Sequence, residues 1–291
     1  MNIKPVKNKF QTAIPTSTLL RKCIAYYYFD ESEEHAAPTT FIYYPHYKNA
    51  MSIYKQSKIV LNDAYSTTIV PTGVGYSFGF SKLNNRAAQT QIIPPYNKIG
   101  VVFQPLGLNH FLEGSLSEYI HAPINVDFNV FKRTMEPILN ELFEADNLVD
   151  KVAILDDYFL SVYQGFQEHK MEEATRFLFA HDSKHTVEEL AAELEISRKT
   201  LLRLFYKHQN SSVIDYMKMI QFRRSIELFQ NSKDRTKLTE LALDTAYYDQ
   251  SDFIKHFKKL TGFNPKLFFN NLSILGDKIK GLRREIKKIR D

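Results

Sequence analysis

The chain has 291 residues, 44% of them hydrophobic and 13% aromatic with no tryptophan, which is enough to bury two separate cores. Its one cysteine, Cys23, excludes a disulfide framework and points to a reducing cytoplasm; no run approaches the ~18 apolar residues of a spanning helix, so neither export nor a membrane is expected. The formal charge of +5 is divided unevenly, −2 over residues 1–180 and +7 over residues 181–291, and basic groups clustered in one half favour a polyanion as partner.

Residues 1–126 break into short runs rich in Ile, Val, Tyr and Phe, among them FIYYP, MSIYK, KIVLND, STTIVPT, YSFGFS and IGVVFQP, separated by Pro, Gly, Asn and Asp. Regular short strands of this kind predict a small antiparallel β-barrel or double sheet. The aromatics Tyr43, Tyr76, Phe78, Phe80 and Phe103 are its candidate ligand-binding residues; they line a pocket for a small organic molecule or make up a filled core, and alternation leaves both open until the register is known. His35, His46, His110 and His121 lack metal-ligand spacing, and Cys23 has no histidine partner in sequence. Gly73, Gly75 and Gly79 sit among strand residues as turn or bulge glycines rather than in a phosphate cradle. No catalytic group, metal or cofactor is expected.

Residues 127–170 turn helical. Leu148, Val152, Leu155, Phe159, Val162 and Phe166 alternate four and three apart, one apolar seam along about five helical turns. The seam packs on the barrel or the preceding MEPILNELF helix, or it forms a homodimer interface. Residues 165–170 read as the hinge, and Glu172 to His181 as the first helix of a domain spanning 171–271.

Within that domain one pattern is used twice. At an offset of 51, Val187, Glu189, Leu190 and Ala191 fall on Leu238, Glu240, Leu241 and Ala242. After a one-residue insertion, at an offset of 52, Leu201, Arg203, Phe205 and Asn210 fall on Phe253, Lys255, Phe257 and Gly262. Each copy reads as two short helices joined by a tight turn. Thr186 with Glu189 makes a capping box, Ser197 caps the next helix, and Leu201, Leu204 and Phe205 form its buried stripe. Arg198, Lys199, Leu202, Arg203, Tyr206 and Lys207 then face outward. In the second copy Asp249 is the cap, Phe253 and Phe257 are core, and Gln250, Ser251, Lys255 and His256 are outer positions. The small Ala191 and Ala242 sit where the two helices of each copy approach closely. Beyond the domain, residues 272–291 read as a basic amphipathic helix with a seam of Leu272, Leu275, Ile279, Leu282, Ile286 and Ile289.

These last hundred residues resemble the DNA-binding domain of the AraC/XylS family of transcription regulators. The run FIKHFKKLTGFNP, Phe253 to Pro265, matches the family signature, and Tyr216 with YMKMIQFRRSIELF matches the helix that joins its two helix-turn-helix motifs. The chain departs from the family at Gln221, at Thr245-Ala246-Tyr247 and at Asn210. The resemblance implies an α+β multidomain protein with a cupin-like sensor half, to which VVFQPLGLNHFL is also similar, a helical connector and an all-α tandem helix-turn-helix domain. It further implies Lys199, Leu202 and Arg203 at base edges, with Gln250, Ser251 and Lys255 matching them in the second motif. Lys207, Lys258 and the helix N-termini at Ser197 and Asp249 are expected on phosphates, with His256 on the same outer face. The expected function is a cytoplasmic, sequence-specific regulator, an activator by family habit. Its expected partners are double-stranded DNA, RNA polymerase, a small-molecule effector and a second copy of the chain. An enzyme or carrier barrel fused to a DNA-targeting module, and a ligand-independent architectural DNA-binding protein, are the competing readings.

Overall fold

A computed structural model describes residues 9–83, 85–180, 185–231, 238–245 and 247–270. The basic segment expected at 272–291 lies outside them. The described residues divide into two compact units: those within 1–40, 48–82 and 90–167 form the first, and those from 168 onward, with those within 41–47 and 83–89, form the second.

The first unit is built on an eight-stranded sheet, of which residues 41–43 and 88–89 group with the second unit. Its strands are β1 (Lys9–Ala13), β2 (Ile24–Glu31), β3 (Thr39–Tyr43), β4 (Ala50–Asp63), β5 (Ser66–Ser81), β6 (Ala88–Ile92), β7 (Asn97–Phe103) and β8 (Ile124–Asn125). They run in the order β1-β2-β7-β4-β5-β6-β3, with β8 on β5, in one curled sheet. Helices α1 (Thr18–Cys23), α2 (Leu116–Tyr119), α3 (Lys132–Glu144) and α4 (Leu148–Ser161) complete it.

Antiparallel register decides which side chains share a face. Phe29, Ile99, Ile53 and Phe78 are paired in sequence across β2, β7, β4 and β5, and Met51 pairs with Phe80. This face carries the apolar core, and Met135, Leu139 and Leu142 of α3 with Val152, Leu155 and Phe159 of α4 belong to the same cluster. Val152, Leu155 and Phe159 of the α4 seam are therefore buried inside their own unit, while Leu148, Val162 and Phe166 are half-buried. The helix is also shorter than the spacing predicts: α4 ends at Ser161, and Phe166 lies beyond the helix, 5.8 Å from the His110 ring. The opposite face is polar and aromatic. Asp30, Lys98, Tyr54 and Ser77 form one cross-strand row, and Tyr28, Gly100, Ser52 and Gly79 the next. Tyr28 lies so close over Gly100 that a Cβ there would fall 1.8 Å from its ring, and its hydroxyl is 2.7 Å from Ser52 Oγ. Lys98, 1% exposed, holds its Nζ 5.0 Å from the Tyr28 ring and 5.2 Å from the Tyr54 ring.

Asp156 ties α4 to the start of the chain. Its buried carboxylate accepts the Thr16 amide at 2.7 Å, the Thr16 hydroxyl at 2.6 Å, the Ser17 amide at 3.2 Å and the Tyr27 hydroxyl at 2.8 Å. Truncating a buried acceptor leaves its donors unpaired and loses more than the net value of the bonds. Asp156→Ala is expected to destabilise the first unit by roughly 2–4 kcal/mol. Urea unfolding checks this, and a loss too small to measure would show that other acceptors replace the carboxylate.

Candidate nucleic-acid interface

The second unit is helical: α5 (His169–Ala180), α6 (Val187–Glu193), α7 (Arg198–Gln209), α8 (Val213–Asn231), α9 (Leu238–Asp244), α10 (Gln250–Thr261) and α11 (Pro265–Asn270). Gly165 has φ +83, but α5 starts at His169, so the expected hinge is partly helix. The pairs α6–α7 and α9–α10 are two copies of one device, equivalent down to single hydrogen bonds. At the turn Ile196 N–H donates to Ala191 O at 3.0 Å and Tyr247 N–H to Ala242 O at 3.1 Å. Ala191 and Ala242 are both buried, as a close crossing requires. The first turn passes through the left-handed region at Glu195, φ +54, whereas its counterpart Ala246 lies outside the described residues.

The caps repeat as well. Ser197 Oγ accepts Thr200 N–H at 3.1 Å at the start of α7, and Asp249 Oδ1 accepts Asp252 N–H at 2.7 Å at the start of α10. Thr186 and Glu189 form the reciprocal capping box of α6, and the two hydrogen bonds it receives hold the Glu189 carboxyl below its ordinary range. At the C-terminal ends Asn210 at φ +48 and Gly262 at φ +80 take the left-handed cap; both amides return to the preceding turn, at 3.0 and 2.8 Å. Asparagine and glycine are the residues that enter this region at least cost, which is why the exchange at 210 is tolerated.

Each second helix has one buried and one outward face. Leu201, Phe205, Phe253 and Phe257 are fully buried. Phe205 meets Tyr216 of α8 at 5.6 Å, and Phe257 meets Phe222 of the same helix at 5.1 Å. With those positions turned inward, Ser197, Lys199, Leu202, Arg203 and Lys207 are exposed at α7, and Ser251, Lys255 and Lys258 on α10; Gln250 is half-buried. Leu202 and Tyr206 are 39% and 64% exposed, an apolar component within a cationic stripe. Arg198 forms an ion pair with Glu188 at 2.9 Å.

His256 is not on this outer face. It is 7% exposed, and its Nδ1 lies 2.7 Å from the Tyr247 hydroxyl. The signal was present in the sequence: the offset of 52 that aligns Leu201 with Phe253 also aligns Leu204 with His256, a core position. Ile254, which the same offset places on Leu202, is a half-buried member of the second stripe that sequence reasoning passed over.

In the first unit the candidate ligand aromatics separate. Phe78, Phe80 and Phe103 are at most 1% exposed in the packed core, with Phe80 stacked on Phe128 at 4.5 Å and Phe103 edge-on to Phe159 at 6.0 Å. Tyr76 is half-buried and donates its hydroxyl to Asn140 Oδ1 at 2.6 Å; Tyr43 is half-buried in β3, within the segment that groups with the second unit. The three phenylalanines belong to the packed core, and the register aims Phe78 and Phe80 at the helix-covered face. An open cleft of about 320 Å³ lies elsewhere, lined by Glu31, Ser32, Lys55, Tyr96 and Asn97 among others. Among the described residues no group of three or more His, Cys, Asp or Glu is placed to hold a metal ion, and no helix is long and apolar enough to cross a membrane.

Residues 190–271 match the family described as helix-turn-helix domain. Over 88 residues the chain is 30% identical to the Msm operon regulatory protein of Streptococcus mutans serotype c, a match covering 30% of this chain and 31% of that protein. The chain thus spans about a third of the length of that curated relative. Among solved structures, ToxT from Vibrio cholerae O395 is similar over 90% of this chain and 97% of its own, at 14% identity and a TM-score of 0.46. The C-terminal domain of AraT, a response regulator from Geobacillus stearothermophilus, is similar over 37% of this chain and 88% of its own, at 23% identity and a TM-score of 0.33.

Burial, with Lys218 nearby, lowers the His256 imidazole to about 4, and burial with Lys207 does the same to His208. Both are folded neutral, whereas in the unfolded chain they take up a proton near 6.5. Their contribution to stability is present above that value and is lost as pH falls toward about 4. Amide exchange of α10, corrected for intrinsic rates, is expected to speed up between pH 7 and 4.5, less steeply in His256→Gln. Equal slopes for the two proteins would contradict the buried neutral assignment.

Proposed function

We propose that this chain, whose residues 190–271 match a helix-turn-helix domain, is a cytoplasmic, sequence-specific transcription regulator of the AraC/XylS type that inserts α7 and α10 into successive major grooves. The carrying observation is the pairing of a buried aromatic face with an exposed, mostly cationic stripe on two helices with equivalent caps and turns. Phosphate contacts need clustered Lys and Arg, and base readout needs side chains that reach the groove floor. Arg203 takes guanine O6 and N7 through both guanidinium nitrogens, Leu202 packs on a thymine methyl, and Lys199 contacts a neighbouring base edge. Gln250, Ser251 and Lys255 do the corresponding work on α10. Lys207, Lys258 and the amides behind Ser197 anchor phosphates. Asp249 puts a carboxylate at the equivalent N-terminus, so α10 is held by its lysines more than by its helix end. His256 has no place among the contacts.

The N-terminal unit acts in this reading as a binding module that senses a small effector, not as an enzyme. Its open cleft, at about 320 Å³, is at the lower end of small-molecule pockets and offers Lys55, Glu31 and Asn97 to a polar metabolite. The regulator works by activation, with RNA polymerase as its further partner, and self-association is not assigned to the α4 seam, whose Val152, Leu155 and Phe159 lie in the core.

Two experiments test this. Arg203→Ala is expected to weaken binding to a site selected from random DNA by about 1–3 kcal/mol and to change binding to unrelated DNA little. Equal losses on both would show that the residue touches only phosphate. A melting-temperature screen of polar metabolites on the full chain should find one that stabilises the wild type and not Asn97→Ala. Absence of any stabilising metabolite would favour the ligand-independent architectural protein.

A further inference from the structure

The segment FIYYPHY, residues 41–47, is part of the second unit together with residues 83–89, although the remainder of that unit is C-terminal. It crosses α8 at Arg223, a guanidinium 6% exposed in mid-helix. Arg223 Nη2 donates to the Tyr44 carbonyl at 2.6 Å and Nε to the Pro45 carbonyl at 2.5 Å. Tyr44 is 5% exposed and sits edge-on to Phe268 of α11 at 4.9 Å, in the same cluster as Phe253 and Phe257 of α10. On the other side Tyr47 sits edge-on to Phe179 of α5 at 4.8 Å, and α5 packs on α7. One strap therefore touches the second motif's core, the α5 helix that packs on the first motif, and the helix between them.

We propose that the 41–47 strap, locked by Arg223, fixes the separation and phase of the two recognition helices and so determines which spacing between half-sites the chain accepts. This rests on the reading of the chain as a two-pronged DNA reader. The first half of α8 meets the first motif at Tyr216 against Phe205 and its second half shares the second motif's core through Phe222 and Ile226, and the strap adds a tie between the two that does not run along α8. For two linked modules the advantage of binding together is set by how well the joint holds them at the required distance. A stiff joint gives a large gain at one spacing and a heavy penalty at its neighbours; a loose joint reduces both. Loss of the lock thus changes the shape of the spacing preference, which a loss of stability alone would not do. Two charge-assisted hydrogen bonds from a guanidinium kept 6% exposed tie the strap's carbonyls to α8.

The test uses the full chain and three duplexes: one selected by the wild type from random DNA, the same duplex with one base pair inserted between its half-sites, and one carrying only the α7 half-site. The wild type is expected to prefer the native spacing over the inserted one by about tenfold or more. Arg223→Gln should reduce that ratio to about threefold or less while α7 half-site binding stays within about twofold, with Arg223→Lys in between. An unchanged ratio, or an equal loss on all three duplexes, overturns the proposal. Should Arg223→Gln fail to fold, as read by circular dichroism, the Arg223→Lys ratio decides alone. If the wild type selects no bipartite duplex, the two-pronged reading itself is what has failed.

Discussion

Two ring contacts on one helix, Tyr216 against Phe205 and Phe222 against Phe257, are what the aim of α7 and α10 in the second unit depends on. An aromatic pair contributes area and a preferred geometry, so it sets the rotation of a helix as well as its attachment. Once Phe205 and Leu201 point at α8 and α6, the 3.6-residue period leaves Lys199, Leu202, Arg203 and Lys207 nowhere but outward. The same holds for Phe253 and Phe257 against Ser251, Lys255 and Lys258. The exposed chemistry is thus a consequence of the buried chemistry, and a change at Phe205 or Phe257 would re-aim a whole stripe.

The first unit follows a different logic, in which one sheet serves two environments. Its apolar face is covered by α3 and α4, and Asp156 holds α4 to the chain start through a carboxylate satisfied by two amides and two hydroxyls. Its other face gathers Asp30, Lys98, Tyr54, Tyr28 and Ser52, with Gly100 making room for the Tyr28 ring. A lysine 1% exposed between two tyrosine rings meets the negative faces of those rings, a contact that favours its charge.

Much of the second unit was legible in the sequence because its signals are local. Caps at Thr186, Ser197 and Asp249, left-handed ends at Asn210 and Gly262, and the 51- and 52-residue offsets all lie within a few positions of what they control. His256 was misjudged because its polar type was weighed above its place in the repeat, although Leu204 marks that place as core. Phe78, Phe80 and Phe103 went the other way: aromatics on alternating positions show that a face exists, and only strand register tells which element covers it. The strap was invisible for a deeper reason. Nothing around Tyr44 or Pro45 announces that their carbonyls receive Arg223 from a helix 178 and 179 positions away. Conversely, nothing around Arg223 separates it from the other basic residues of α8.

The central claim is that α7 and α10 read two neighbouring grooves on one side of a duplex. Hydroxyl-radical footprinting of the full chain on DNA it selects measures this most directly. The account predicts two protected patches on the same face, roughly one helical turn (~10 base pairs) apart. A single short patch, or protection spread evenly around the duplex, would contradict it.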